Sequence, residues 1–395
     1  MVAVSAGRLA LACGGAALVL VALGDMFLTI FNYDGYTTLT THFHRAWWRL
    51  VRIVAAPLPR KLRELGLSVG SASMLPASVA AWLGLQITGF ALLYDSGVEG
   101  NAFRLKDASR SLGTAFYLSA GDISSLTFGD VVARSGLYRA LLDVETILGL
   151  ATFTLALGYV VTAFGVLGTL GTLHGRVRRH ADDLERPESI VSRHFRGGSP
   201  SDLPSFLQAL GEDLDSYDQG LRRYPVVYYF HTRRRERSVP HVFTALGDLI
   251  ALLRYGLPAD DPVAEDPFLA ALHDGYRITL DRMRRSFVGP RPFELPEPLD
   301  RERFEHAWQL EGADAGVDAF RSLDRLTREI TSASEQGIGD LHERYERWLP
   351  FAYEQQVVLD RVAGRLGYPR PAPVAPISSV SSTRGSSSAT RALRT

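Results

Sequence analysis

The sequence predicts an all-α membrane protein: two transmembrane helices joined by a re-entrant loop, one extra transmembrane helix ahead of them, and an all-α cytoplasmic domain behind. Three observations carry that expectation. Nearly all the long apolar runs lie in residues 1–173, while residues 174–368 hold most of the charge. Two of the runs, Leu65 to Tyr94 and Ile147 to Leu173, contain no charged side chain, and each exceeds the roughly 20 apolar residues that a bilayer crossing needs. Between them lies Ala115 to Asp130 (AFYLSAGDISSLTFGD), too short and too rich in Ser, Thr and Gly to cross again. The 43 basic and 43 acidic residues cancel, so bulk charge gives no reason to expect nucleic acid as a partner.

Residues 1–34 are the first expected span, with Leu9 to Tyr33 apolar apart from Asp25. Ala22-Leu23-Gly24 resembles a small-residue cleavage site, which would make residues 1–24 a secretory signal. Topology opposes cleavage. It would put the new amino terminus outside and, two spans later, the charged half outside as well. Arg45, Arg49, Arg52, Arg60, Lys61 and Arg63 precede the second span, and Arg176, Arg178 and Arg179 follow the third. Both clusters belong on the cytoplasmic face by the positive-inside rule, and an uncleaved helix with its amino terminus outside satisfies both. Asp25 is costly inside a span unless paired; a structural interhelix bond is expected, with Thr29 one turn on as a neighbour. The single cysteine, Cys13, excludes an intrachain disulfide and reads as inert packing.

In residues 35–64, Phe43, Trp47, Leu50, Val51 and Val54 recur at helical spacing with arginines on other faces. That pattern describes either an interfacial helix on the inner leaflet, meeting anionic lipid headgroups, or a connector packed on the protein.

Residues 65–173 form the central unit. Ser111 to Ile123 is expected to be a short helix entering from outside, its carboxyl end and dipole directed at mid-membrane. Ser125 to Gly129 then climbs back in extended form, with carbonyl oxygens able to replace an ion's hydration shell. Asp130 would sit at the outer mouth, and Asp143 and Glu145 would add to an acidic external vestibule. The stretch 115–130 resembles, without a gap, the pore loop of tetrameric potassium channels (A-L-Y-F-S-x-x-T-x-T-T-V-G-Y-G-D). Ala115, Tyr117, Ser119, Gly129 and Asp130 coincide with that pattern, and Leu118, Ile123, Ser124, Ser125, Leu126 and Phe128 are conservative replacements. With its flanking helices and an extra amino-terminal helix, the chain is similar to a bacterial subfamily of two-helix channels. The resemblance implies a helix–pore loop–helix channel core in the bacterial inner membrane, built as a homotetramer because one loop per chain must supply a quarter of the pore. It implies a monovalent cation, potassium, as the permeant ion, with no bound cofactor.

The filter positions under that resemblance are Ser125, Leu126, Thr127, Phe128, Gly129 and Asp130. Thr127 stands where the family has glycine; its branched Cβ suits that backbone poorly, so the filter departs from the standard potassium filter. Asp122 replaces a threonine and, with Ser124, is expected to brace the filter from behind. Gly149 and Gly158 lie on the inner helix. Each alone suggests close packing, and Gly158 is the better candidate for a gating hinge.

Residues 174–368 read as helical. Asp266-Pro267 starts a helix through about Phe287, and Asp300 another from Arg301 to Leu310. Leu341, Tyr345, Trp348, Ala352, Gln355, Leu359 and Val362 mark one face of a long terminal helix. Val226 to Phe230 is the one strand candidate, Pro290 to Pro298 a linker, and residues 369–395, rich in Ser, Pro, Thr and Arg, a disordered tail. No G-x-G-x-x-G follows a strand, so no dinucleotide module is expected; Gly165, Gly168 and Gly171 read as helix packing. Arg233-Arg234-Arg235-Glu236-Arg237 is a solvated loop or a contact for lipid headgroups or a phosphorylated ligand. Gly66-Leu-Ser68-Val-Gly70 matches a nucleophile elbow but opens an apolar helix. The ten histidines form no metal-binding spacing; His174 and His180 follow the third run, where protonation would bias a gate, although His180 beside Arg178 and Arg179 reads more simply as a surface residue. No enzyme is expected. The rival reading is a non-conducting membrane scaffold or sensor signalling through residues 174–368.

Overall fold

The structure is a computed structural model, and it describes residues 6–31, 39–106, 109–126, 129–181, 186–195, 202–289, 293–331 and 337–377. Three helices are long and apolar enough to cross a membrane: α1 (Ala6–Phe31), α4 (Met74–Glu99) and α6 (Gly136–His180). Between them lie α2 (Leu39–Ala55), α3 (Arg60–Ala72), strand β1 (Phe103–Leu105), α5 (Leu112–Ile123) and strand β2 (Val131–Ala133). The chain divides into two compact units, 1–166 with 220–230, and 167–219 with 231–395.

In the first unit α1 and α4 run antiparallel. A Cβ on Gly15 would lie 2.5 Å from the Gly89 carbonyl oxygen, and one on Gly89 2.6 Å from that of Gly15, so the two backbones touch where both helices lack a side chain. Asp25 is buried and ties three elements together. It accepts from Trp82 Nε1 of α4 at 2.8 Å and from Thr40 of α2 through the backbone N–H at 3.0 Å and the hydroxyl. The acid in the first span is therefore an interhelix anchor, with Trp82 and Thr40 as partners.

The charge-free run beginning at Leu65 is not one helix. Ser73 ends α3 and begins α4, so the spanning helix starts at Met74 and the segment assigned to residues 35–64 extends to Ala72 as two helices. On α2, Thr40, His44 and Trp48 are buried, while Leu50, Ile53 and Val54 are exposed beside Arg49 and Arg52. Cys13 is also exposed rather than packed. The third run lengthens in both directions: α6 has 45 residues, about 68 Å at 1.5 Å per residue, and His174 and His180 lie in its last turns.

The sequence pattern missed two short strands. β1 and β2 pair antiparallel with Phe103 opposite Ala133 and Leu105 opposite Val131, and bonds from Lys106 N to Asp130 O and from Arg134 N to Ala102 O, both 2.8 Å, lengthen the ladder. This clasp holds the end of α4 near the start of α6. Beneath it Val19, Phe90, Tyr94, Val98, Phe103 and Leu118 form one apolar cluster. The strand expected at Val226 to Phe230 is instead a 3₁₀ turn, Pro225–Tyr229. Proline at its first position fixes φ and lacks an N–H for a sheet. It belongs to the first unit, where Tyr229 meets Trp48 and Tyr224 meets Tyr159.

The second unit is built around α9 (Val239–Ala251), every residue of which is buried except His241, continuing as a π turn, Leu252–Gly256. Around it lie α7 (Glu188–Phe195), α8 (Leu203–Arg223, through Gln219), α10 (Pro267–Phe287), α11 (Arg301–Gln309), α12 (Ala315–Thr331) and α13 (Ile338–Leu366). Asp266 caps α10 by accepting from Phe268 N and Leu269 N, and Asp300 caps α11 through Arg303 N. Leu341, Tyr345, Trp348, Gln355, Leu359 and Val362 are buried on α13, as their spacing required. Arg344, 1 % exposed, bonds Asp324, Asp340 and the carbonyls of Tyr255 and Gly256. His180 stacks on His194 with ring centroids 5.4 Å apart and meets the tilted ring of Phe206 at 4.3 Å, so it is not a simple surface residue. The tail expected from residue 369 is partly built: 369–377 is an irregular strap with Ala375 and Ile377 buried. Residues 378–395 lie outside the described residues.

Candidate functional site: the loop between α4 and α6

Ser111 caps α5, its side chain accepting from Thr114 N. The 12 residues of α5 extend about 18 Å. Two contacts fix how far it reaches. Ser119 Oγ lies 3.1 Å from the Ile87 carbonyl of α4, about 18 Å along α4 from Glu99. The last turn meets Gly149, about 20 Å along α6 from Gly136: a Cβ there would overlap the Ile123 carbonyl oxygen and lie 2.8 Å from Ile123 Cγ1. Both contacts place α5 well inside the lengths of α4 and α6, beside their buried faces.

The helix ends in a Schellman turn. Leu126 N donates to Gly121 O at 2.8 Å and Ser125 N to Asp122 O at 2.9 Å, with Ser125 left-handed at φ 59°. Ser125 is therefore the helix stop, not the first residue of an extended segment; two main-chain bonds hold a serine where glycine is usual. Ser124 Oγ folds back on Ala120 O and Gly121 O at 2.7 and 3.0 Å. Leu126 is exposed. Thr127 and Phe128 lie outside the described residues. Gly129 has open space around its Cα, and Asp130 is half-buried, its carbonyl in the clasp and its carboxylate beside the Tyr117 hydroxyl.

Behind α5 lies a polar layer that includes Glu145 and Asp122. Glu145 was expected in an external vestibule, but it is fully buried. Its Oε1 is 2.5 Å from Ser119 Oγ, and its Oε2 accepts from Tyr94 OH at 2.7 Å, linking α4, α5 and α6. Asp122 is bonded by Thr146 Oγ1 of α6 at 3.1 Å, so the described bond braces the helix on α6. Two turns from Glu145 along α6, Gln86 Nε2 donates to Thr152 Oγ1 at 3.0 Å. A signal for Glu145 existed: Glu145, Gly149, Thr152, Ala156, Tyr159, Ala163 and Val166 alternate by four and three and are all buried, the seam spacing of a packed helix.

The candidate hinges differ. Gly149 is a contact point, whereas a Cβ on Gly158 would meet nothing within 4 Å, and α6 runs unbroken through both. Gly165, Gly168 and Gly171, expected to pack, also face open space. With exposed Thr154 and Thr162, Gly158 and Gly165 make a small-residue edge on α6 opposite the buried seam. Among the described residues no group of three or more His, Cys, Asp or Glu side chains could hold a metal ion.

No family model matches the chain, and no solved structure matches it. It is similar to the uncharacterized membrane protein YdjJ of Bacillus subtilis (strain 168), at 20% identity over 232 residues, 59% of this chain and 67% of that protein. With its three apolar helices, this chain is a mostly helical membrane protein.

Proposed function

We propose that this chain is one subunit of a homotetrameric cation channel, potassium-like in ancestry, in the bacterial plasma membrane, with residues 174–368 on the cytoplasmic side. The observation that carries the reading is the placement of α5. A helix with a capped start sits between two membrane-long helices, stops partway along both in a turn at Ser125, and is followed by a clasp at Asp130 to Ala133 that pairs with β1, just after the end of α4. Its carboxyl end turns partial negative charge toward the membrane interior. Non-helical backbone at that depth is tolerated only where protein or a water-filled lumen covers it. The small-residue edge of α6 supplies a face suited to such a lumen. Glu145, Asp122 and Gly149 act as the frame holding the loop, and the filter is confined to Leu126–Asp130 because Ser125 is spent on the turn.

That same turn favours the second reading, a non-conducting scaffold, since a left-handed Ser125 interrupts a carbonyl ladder begun one residue earlier. One assay separates the two. Purified protein in liposomes is tested for potassium and sodium flux. Permeation is expected; none, in protein with an intact thermal transition, refutes conduction and leaves the scaffold. In a conducting protein, Thr127→Gly should raise potassium preference over sodium.

A further inference from the structure

We infer that the second unit contains a binding site for a phosphate monoester, in the cavity between α9 and the strap that follows α13. The cavity has a volume of about 400 Å³, within the ~300–1,000 Å³ usual for small-molecule sites. Its floor is one face of α9, His241, Thr244 and Asp248; one wall is Arg235 and Glu236, and the roof is Arg370 to Ala372. These come from three distant parts of the sequence, and the arginine-rich run singled out in the sequence supplies one of them.

The roof is held on both sides of the cavity. Upstream, Tyr368 stacks on His231 with centroids 4.3 Å apart, and its hydroxyl accepts from Thr232 N at 2.6 Å. Downstream, Val374 N donates to Asp248 Oδ2 at 3.0 Å, and Ile377 exchanges two bonds with the Gln356 side chain. Arg370 is thereby suspended over the space that Arg235 faces from the wall; its ion pair with Asp360 is loose, at 3.7 Å. The carboxylate in the floor does not cancel the two guanidinium groups. Asp248 spends Oδ1 on Gln355 Nε2 and Oδ2 on the strap, and burial pushes its pKa up to about 7. His241, with Nδ1 on Ser238 Oγ, is held neutral by burial and by Arg235. Glu236 in the wall and Asp360 beside Arg370 are the carboxylates that oppose a dianion. Two guanidinium forks with room for an organic substituent suit a phosphate monoester, which both can engage in bidentate fashion. The bound group would join wall to roof and fasten the strap.

The same chemistry is carried by a soluble phosphorylated metabolite and by the headgroup of phosphatidic acid. Hydrogen exchange of the strap amides at Arg370, Ala372 and Val374 tests both, using the full chain in nanodiscs. In phosphatidylcholine discs, glycerol 3-phosphate should slow exchange saturably, and more tightly than inorganic phosphate, which leaves most of the cavity empty. If only discs containing phosphatidic acid protect the strap, the source is the lipid and the site stands. Arg235→Gln and Arg370→Gln should each weaken protection at least tenfold, and Glu236→Gln should strengthen it, an opposite sign that general loosening would not produce. No protection by either source, or protection unchanged in both arginine variants, overturns the site. The readout is binding, so the result is independent of ion conduction.

Discussion

Replacing Gly149 by alanine tests the frame around the loop most directly. The new methyl would overlap the Ile123 carbonyl oxygen and sit 2.8 Å from Ile123 Cγ1 and 3.0 Å from its carbonyl carbon. Carbon atoms rest about 3.5–4.0 Å apart, so α5 and α6 must separate by roughly 1 Å. Overpacking of that size costs about 1–3 kcal/mol. Alanine also gains about 1 kcal/mol of helix propensity over glycine, which would blur a single measurement. Gly158→Ala removes the ambiguity, because the same substitution on the same helix meets nothing within 4 Å. Propensity cancels between the two variants, and the difference isolates the contact. Thermal unfolding in detergent at matched concentration should find Gly149→Ala less stable than Gly158→Ala by about 1–3 kcal/mol, and under the proposed channel reading flux should fall because the displaced turn precedes the proposed filter. Equal stabilities, or the reverse order, with assembly of the Gly158→Ala protein unchanged, would refute the packing of α5 on α6.

Asp25→Ala should destabilise the protein by about 2–4 kcal/mol, since Trp82 Nε1 and the Thr40 N–H lose a buried acceptor; Trp82→Phe, which removes one donor, should cost less in the same melting assay. Arg344→Ala should cost about 3–5 kcal/mol by leaving Asp324 half-paired and two carbonyls of the π turn unbonded, with Arg344→Lys intermediate by chemical denaturation. Asp248 and His241 should pull the pH dependence of stability in opposite directions. Between pH 3.8 and about 7 the native state holds the Asp248 proton more firmly than the unfolded chain, so this group's contribution falls as pH rises. His241, shifted from 6.5 to about 4, makes the unfolded chain the better proton binder, so its contribution rises over nearly the same window. Melting curves from pH 4.5 to 7.5 should therefore acquire a more positive slope in Asp248→Asn and a more negative one in His241→Gln, each relative to the unaltered protein; slopes changed in the other direction would contradict the burial of these groups.

What the sequence displayed was periodic or local. The caps at Asp266 and Asp300 are read within one helical turn, and the buried face of α13 repeats often enough to stand out. The anchor role of Asp25 followed from its cost in an apolar run, although its partners Trp82 and Thr40, distant in sequence, did not. What stayed hidden depends on partners or on single backbone torsions. A charge-free run reports composition, not continuity, so the break at Ser73 was silent. Strands of three residues hold barely one alternation. Glu145 looked like an outer-end acid because only the fold supplies Ser119 and Tyr94 around it. Ser125 takes a glycine-like torsion because two main-chain bonds require it, which no side-chain pattern announces. The tail from residue 369 is low in apolar content as a whole, yet Ala375, Ile377 and the preceding Tyr368 suffice to dock its first nine residues.

The circumference of α6 within the first unit carries the argument between channel and scaffold further. Its buried seam faces α4 and α5. One exposed sector holds Phe153, Leu157, Val161 and Phe164, all at least 47% exposed and fit for lipid or a neighbouring hydrophobic surface. The sector beside it holds Thr154, Gly158, Thr162 and Gly165, with the hydroxyls of Thr154 and Thr162 returned to the carbonyls of Leu150 and Gly158 at 2.9 and 2.7 Å. A helix bathed wholly in lipid has no use for that division, since acyl chains favour large apolar groups all round. Small residues with satisfied hydroxyls suit a close helix contact or a wet lumen instead. The two uses part at Gly158. Against a second helix its open face would be filled, so Gly158→Ala would weaken assembly; along a lumen the added methyl touches only water, and assembly is kept. A stable Gly158→Ala oligomer with altered flux is therefore the outcome peculiar to a channel.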